Sequence, residues 1–389
     1  MNKYRLLAPG PTPVAAETAL AMAAPLLHHR GPAFRAVFAR VRDQLRPVFG
    51  TRGEVLVLTC SGTGAMEAAV VNLLSAGDTA IVVRGGKFGE RFGAMLEAYG
   101  CQMVALDVPW GTAVSPDAVA RALESNPRAR AVFVQATETS TGVLHPVREI
   151  AAITRSRADV ALVVDGITAV GVLPIPMDEW GIDVLIGGAQ KAFMIPPGLA
   201  FVSLGAKAWA LAERARLPRF YFDLRRERDS QVKGESAWTP AISLVIGLAE
   251  ALDRLHAEGL ENAYARQALL AAATRAALVA LGFRLVAEQA PSPALTAAHA
   301  PTGVDAAAIV RALRDDHGIV VSGGQGALKG RILRIGHLGY VDGFDVLAVV
   351  AALERVLVSL GAQVALGRGL TVAQQVLGAP TTSGHGATP

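Results

Sequence analysis

Between residues 54 and 204 the sequence alternates short, almost purely aliphatic runs with longer stretches whose apolar residues recur at helical spacing. The runs are EVLVLT (54–59), DTAIVVR (78–84), a segment near 102–106, AVFVQA (131–136), ALVVDG (161–166), DVLIGG (183–188) and LAFVSL (199–204). A strand with one wet face alternates apolar and polar residues. A strand covered on both faces reads as continuous Val, Ile and Leu. Such runs, separated by helices near 62–74, 88–99 and 116–123, predict an α/β fold on a buried, mostly parallel sheet. The last two runs are joined by a Pro-Pro-Gly link too short for a crossover helix, so that pair is expected to be antiparallel.

The pattern changes after Thr239. A long amphipathic helix is expected over 243–259, continued by alanine-rich helix to about 281. A strand near 284–288, a helix near 305–317, the segments GIVVSGG (318–324) and RILRIGHLG (331–339), and a helix near 344–360 complete a smaller α+β unit. The expected organisation is an N-terminal arm (1–15), a large domain (16–259), a small C-terminal domain (260–365) and a tail (366–389) that is disordered beyond about 378. No internal repeat is visible.

Composition narrows the function classes. The net charge is only +4, and although the pI is near 9.3, no dense Lys/Arg stripe with interleaved aromatics suggests a nucleic-acid surface. Two cysteines, Cys60 and Cys101, cannot by themselves build a disulfide framework or a four-thiolate metal site, and they are expected to be reduced. The N-terminus lacks the apolar core of a signal peptide, and no stretch offers the roughly 20 uninterrupted apolar residues of a membrane span. A cytoplasmic protein is expected.

Against this background Lys191 stands out. In IGGAQKAFMIPPGLAF (186–201) it is the only cation, and between Ile182 and Leu204 the only charged residues are Asp183 and Lys191. Burying an ammonium costs several kcal/mol unless it is compensated. Such a lysine either snorkels its head to water or has a lowered pKa and serves as a nucleophile. Its place just past a strand end favours the second role, because ligands of open α/β sheets sit there. Asp165 closes another strand, either as a helix cap or as the carboxylate partner of a pyridinium nitrogen. CSGTGAMEAAV (60–70) leads from a strand through a short glycine loop into a helix. That is an ordinary turn or a site for a small phosphate, since it lacks the P-loop lysine and the GxGxxG spacing. Arg334, in a strand-like stretch, is either a surface charge or a bidentate carboxylate clamp. Pyridoxal phosphate needs both a lysine Schiff base and an aspartate partner for its ring nitrogen, and together the four describe one site.

On these residues, and on the blocks ATETSTGVLHPV (136–147), VVDGITAVG (163–171) and GGAQKAFMIPPGLAFVSL (187–204), the chain resembles the class V aminotransferases of the fold-type I pyridoxal-phosphate enzymes. The resemblance runs from APGPTPV (8–14) to about residue 360 and points to the alanine–glyoxylate and serine–glyoxylate branch, which includes cyanobacterial chains labelled as soluble hydrogenase subunits. It implies a large, mostly parallel seven-stranded sheet domain and a smaller α+β domain. It also implies pyridoxal 5'-phosphate as cofactor, small amino-acid and 2-oxo-acid substrates, and a homodimer sharing its active sites. Lys191 then matches the lysine that bonds the cofactor, and Asp165 the partner of the pyridine nitrogen. Ser61, Gly62 and Thr63 match the phosphate loop, with Gln190 a further phosphate ligand and Thr239 one donated by the neighbouring subunit. Phe88 and Ile167 match the residues on the two ring faces, and Thr139 the hydroxyl near the 3-oxygen. Arg334 matches the α-carboxylate clamp, and Gly10 the strand passing over the substrate.

The family commonly carries Ser-Gly-Ser where this chain has Gly187-Gly188-Ala189, tryptophan where it has Phe88, and alanine or serine where it has Gly166. None of these changes removes a catalytic group. Two rival readings share the sequence. A cysteine desulfurase of the same fold needs a reactive cysteine in a small-domain loop, and 318–330 has none. An accessory subunit of a redox complex is the other, since two distant cysteines cannot hold a metal cluster alone.

Overall fold

The computed structural model describes residues 3–379, so the expected disorder at 380–389 falls outside the described residues. In chain order the strands are β1 (Arg5–Leu6), β2 (Val55–Leu58), β3 (Thr79–Arg84), β4 (Gln102–Asp107), β5 (Ala129–Gln135), β6 (Thr137–Glu138), β7 (Val143–Leu144), β8 (Ala161–Asp165), β9 (Val184–Gly188), β10 (Ala200–Leu204), β11 (Arg284–Leu285), β12 (Leu295–His299), β13 (Ile319–Val320), β14 (Ser322–Gly323) and β15 (Ile332–Gly336). The aliphatic runs form one seven-stranded sheet in the order β2-β10-β9-β8-β5-β3-β4. β10 is antiparallel to both its neighbours, as the short Pro-Pro-Gly link requires, and the remaining pairs are parallel.

Both faces of this sheet are apolar because helices cover both. Leu56, Val82, Phe133, Val163 and Ile186 face one core, shared with Ala65, Met66 and Ala69 of the helix Gly62–Leu73. Val57, Val83, Val134, Val164 and Leu185 face the other, against Phe38, Val41 and Leu45 of Pro32–Phe49 and Leu248 and Leu252 of Ile242–Glu258. Each such side chain contributes roughly 1.5–3 kcal/mol by leaving water. No helix of the described residues is long and apolar enough to cross a membrane.

A second, four-stranded sheet has the order β11-β12-β15-β14, and the helices Leu260–Ala280, Ala306–His317 and Gly343–Ser359 share its core. Four features differ from the sequence expectation. The helix expected to run on to about 281 breaks at Gly259, whose φ of +84° suits glycine and ends one helix as it starts the next. The segment 318–324 splits, β13 pairing with β1 and β14 with β15. The expected strand near 284–288 pairs over Arg284–Leu285 alone, opposite β12, a strand of small residues with no aliphatic run to announce it. The stretch from 366, expected as a tail, forms the helix Arg368–Leu377. Buried Glu354 caps it by accepting the Gly367 (2.6 Å), Gly369 (2.7 Å) and Leu370 (3.0 Å) N–H groups.

The N-terminal arm ties the small sheet to the lysine loop. Leu7 N–H donates to Val320 O (2.8 Å) and Gly336 N–H to Leu7 O (2.7 Å). Five residues on, Thr12 N–H donates to Gln190 O (3.1 Å) and its hydroxyl to Lys191 O (2.8 Å).

Candidate active site

The parallel strands β2, β3, β5, β8 and β9 all end at one edge of the large sheet, and the residues after those ends converge there. Lys191 follows β9 by three residues and is buried, with its Nζ donating to Pro9 O. Burial lowers its pKa from 10.5 to about 8. The Asp165 charge opposes that shift, and the Arg334 and Arg91 charges reinforce it. Asp165 closes β8, and its Oδ1 accepts the Ile167 N–H (2.9 Å). Burial raises its pKa from 3.8 to about 6, against the Ile167 hydrogen bond. Its titration is thus brought within about one pH unit of neutrality, within the field of a carboxylate.

Gly10 explains how the arm can lie on the lysine. Its φ is +129°, and a Cβ there would overlap the lysine head, standing 2.6 Å from Cε. Ile167 is fenced in the same way: a Cβ on Gly62 would lie 2.5 Å from its Cδ1, and one on Gly188 2.8 Å from its Cγ2. The two glycines leave one face of Ile167's side chain room at the start of the helix Gly62–Leu73. Ser61, the N-cap, is exposed and its hydroxyl makes no capping bond, so the first N–H groups of this helix point outward unpaired by it. Gln190, two residues past β9, has its buried Oε1 unpartnered among the described residues, an acceptor that only a donor can satisfy. An orphan of this kind costs about 1–3 kcal/mol unless something polar satisfies it.

On the other side, Thr139 shares a hydroxyl–hydroxyl bond with Thr168 (2.8 Å), and its carbonyl accepts from Arg334 Nη1 (2.9 Å). Arg334 reaches it from β15, with Nε bonded to Gly323 O (2.9 Å). Its guanidinium is buried and its pKa falls to about 10 through desolvation, so it stays charged at neutral pH. Phe88 opens the helix Lys87–Ala98 after β3. Contacts and charges thus link most of these residues: Gly62 and Gly188 meet at Ile167, Gly10 meets Lys191, Thr139 meets Arg334, and the Asp165 and Arg334 charges act on Lys191. Thr239 does not join them within the chain: it is exposed, two residues before Ala241, whose N–H bonds Thr59 Oγ1 (3.1 Å).

Two residues of the site carried no role in the sequence reasoning. Glu138 is fully buried. Its Oε2 accepts the Phe88 and Gly89 N–H groups (3.1 Å each), and its Oε1 the Ser140 N–H (3.0 Å) and hydroxyl (2.6 Å). Its signal was faint: one acid within a run of small hydroxyl residues. Arg91, one helical turn beyond Phe88, donates to Thr63 Oγ1 (2.9 Å) and lies over the Phe88 ring, 4.8 Å from its centroid. Spacing of three on a helix was its signal.

The four donors around Glu138 make a stability prediction. Burial pushes this carboxyl upward in pKa, and the hydrogen bonds pull it back. A glutamine offers one acceptor oxygen and turns an NH₂ toward N–H groups. Glu138→Gln is therefore expected to destabilise the fold by about 2–3 kcal/mol, a drop of several degrees in Tm. An unchanged melting curve would show that this carboxylate does not fasten the Phe88 turn.

Comparison with known proteins gives a consistent result. The family described as "Aminotransferase class-V" matches residues 17–336. The soluble hydrogenase small subunit of a Synechococcus strain is 42% identical over 380 residues, covering 97% of this chain and 99% of that one. The serine–glyoxylate aminotransferase of Methylorubrum extorquens is 34% identical, covering 97% and 96%. Among solved structures, the ureidoglycine–glyoxylate aminotransferase of Bacillus subtilis superposes with a TM-score of 0.91 at 28% identity, covering 97% and 98%.

Proposed function

The chain belongs to the class V aminotransferase family, and from that premise we propose that it moves the amino group of alanine or serine to glyoxylate or pyruvate by a ping-pong mechanism, as a homodimer. Membership makes it an aminotransferase and implies pyridoxal-phosphate dependence. The residues present fit that cofactor: N–H groups at the start of the helix Gly62–Leu73 that no side chain caps, an exposed Ser61 hydroxyl free of a capping bond, and a glycine at 62 that keeps the backbone open. The observation that carries the reading is a buried amine with a pKa near 8 beside a buried carboxylate, Asp165, and a buried guanidinium, Arg334.

When bound, pyridoxal phosphate supplies an electron sink for the substrate's α-carbon. The protein's residues do the rest. Ser61, Gly62, Thr63 and Gln190 would hold the phosphate, and Phe88 and Ile167 would hold the ring. Thr139 would hydrogen-bond the 3-oxygen, and Asp165 would accept the ring N–H as a carboxylate. Arg334 takes the substrate α-carboxylate, and Gly10 lets the arm pass over it. Lys191 Nζ would take the substrate's α-proton and hold it for redelivery, a task that suits an amine with pKa near 8. In the homodimer Thr239 of the partner subunit would add a phosphate contact, and its exposure leaves it free to do so.

Both aminotransferases compared above are named for glyoxylate and differ in donor, which supports the acceptor more than the donor. A desulfurase role finds no support in the thiols: burial pushes Cys60 up to about 12, and Cys101 is raised likewise.

The test is an absorbance spectrum of purified protein with pyridoxal phosphate, followed by single amino acids. Alanine or serine is expected to shift the band, and glyoxylate to restore it; double-reciprocal plots are expected to be parallel. A band that no α-amino acid moves, or intersecting lines, would count against the proposal.

A further inference from the structure

Arg91 is a partly buried cation without a counter-ion. Its neighbour Glu90 pairs with Lys87, and among the described residues no carboxylate forms an ion pair with Arg91. A guanidinium does not shed its proton. Nevertheless, this one sits against Thr63, in the first turn of the helix Gly62–Leu73, where the helix end is itself positive. Its charge also reaches Lys191 and Asp165, so it belongs to the same site. Two positive features turned toward each other are unfavourable unless an anion lies between them.

The position says which anion. Arg334 is tied to Thr139 and Gly323, on the side of the site formed by the small sheet. Arg91 is tied to Thr63, in the loop assigned above to phosphate. We infer that Arg91 is a ligand of the cofactor's phosphate, matching its second negative charge, while its stem and plane back the Phe88 ring. The inference rests on the pyridoxal-phosphate reading of the site. It also supplies what the neutral donors Ser61, Thr63 and Gln190 cannot, a full positive charge against a dianion.

The experiment titrates cofactor-free wild type, Arg91→Gln and Arg91→Lys with pyridoxal phosphate and, separately, with pyridoxal, which lacks the phosphate. Binding is read by absorbance and by tryptophan fluorescence. Arg91→Gln is expected to weaken pyridoxal phosphate by about 10- to 100-fold and pyridoxal by less than about threefold, with Arg91→Lys between wild type and Gln. Protection of the cofactor-free protein by inorganic phosphate in a thermal shift is expected to fall in parallel. Equal losses for the two ligands would mean that Arg91 acts only by packing on Phe88, and no loss would mean that it does not meet the phosphate; either overturns the inference. If Arg91→Gln does not fold, Arg91→Lys keeps the charge but loses the fork, and its selective loss of pyridoxal phosphate decides. Wild type that takes up neither ligand would sink the functional reading as well.

Discussion

Replacing Lys191 with alanine is expected to abolish transamination, lowering kcat by at least about 10⁴-fold, with the fold intact. The side chain has two tasks in the proposed chemistry, anchoring the cofactor and carrying the α-proton, and no neighbour duplicates either. Arg334 stays charged at neutral pH, and Asp165, with a pKa raised to about 6, is a carboxylate there. The fold should survive because the folded protein already pays for this lysine. A pKa depressed from 10.5 to about 8 means that its stabilising contribution exists only above 10.5 and is lost as pH falls through about 8. At pH 7 the buried ammonium costs on the order of 3 kcal/mol, which the alanine removes, offset by the donor lost to Pro9 O. Cofactor-free Lys191→Ala is thus expected to melt at or above the wild-type temperature. The same shift gives a pH signature. Capture of pyridoxal phosphate by the wild type needs the neutral amine, so its rate should rise through about pH 8 and level off above it. A midpoint near 10.5, or a variant turning over within tenfold of wild type, would contradict the assignment.

How much of this was legible in the sequence follows the physics of each signal. The large sheet was readable because strands buried on both faces leave no choice but aliphatic runs, and the Pro-Pro-Gly link could only turn the chain back. β12 was not, because Ala297 and Ala298 bury against neighbours without needing a bulky run. The break at Gly259 hid inside a helical pattern that one glycine does not interrupt in composition. At the site, Lys191 and Asp165 were conspicuous as charges where charge is costly. Gly10 was visible only through resemblance, since its role depends on a left-handed backbone lying against a side chain 181 positions later. Glu138 and Arg91 make contacts across 49 and 28 positions, and such pairings leave no local pattern.

Arg334→Ala is expected to raise KM for the amino-acid donor by about 10²- to 10³-fold, and to change the affinity for pyridoxal phosphate by less than about threefold. The guanidinium is fixed before any substrate arrives. Nε on Gly323 O and Nη1 on Thr139 O set its plane, which leaves Nη2 and the charge for a carboxylate. Burial lowers its pKa only to about 10, so the charge persists across the working range and strengthens in the dry site. Alanine also strands the two carbonyls, at about 1–2 kcal/mol each, so a lower Tm alone proves nothing. Two comparisons separate binding from stability. Arg334→Lys keeps a charge without the fork and should recover only part of KM. An amine lacking the α-carboxylate should react equally poorly with wild type and variant, because the lost interaction is one it never made. If pyridoxal phosphate affinity falls as far as donor affinity, Arg334 is a structural support of the Thr139 loop, and the substrate carboxylate is held elsewhere.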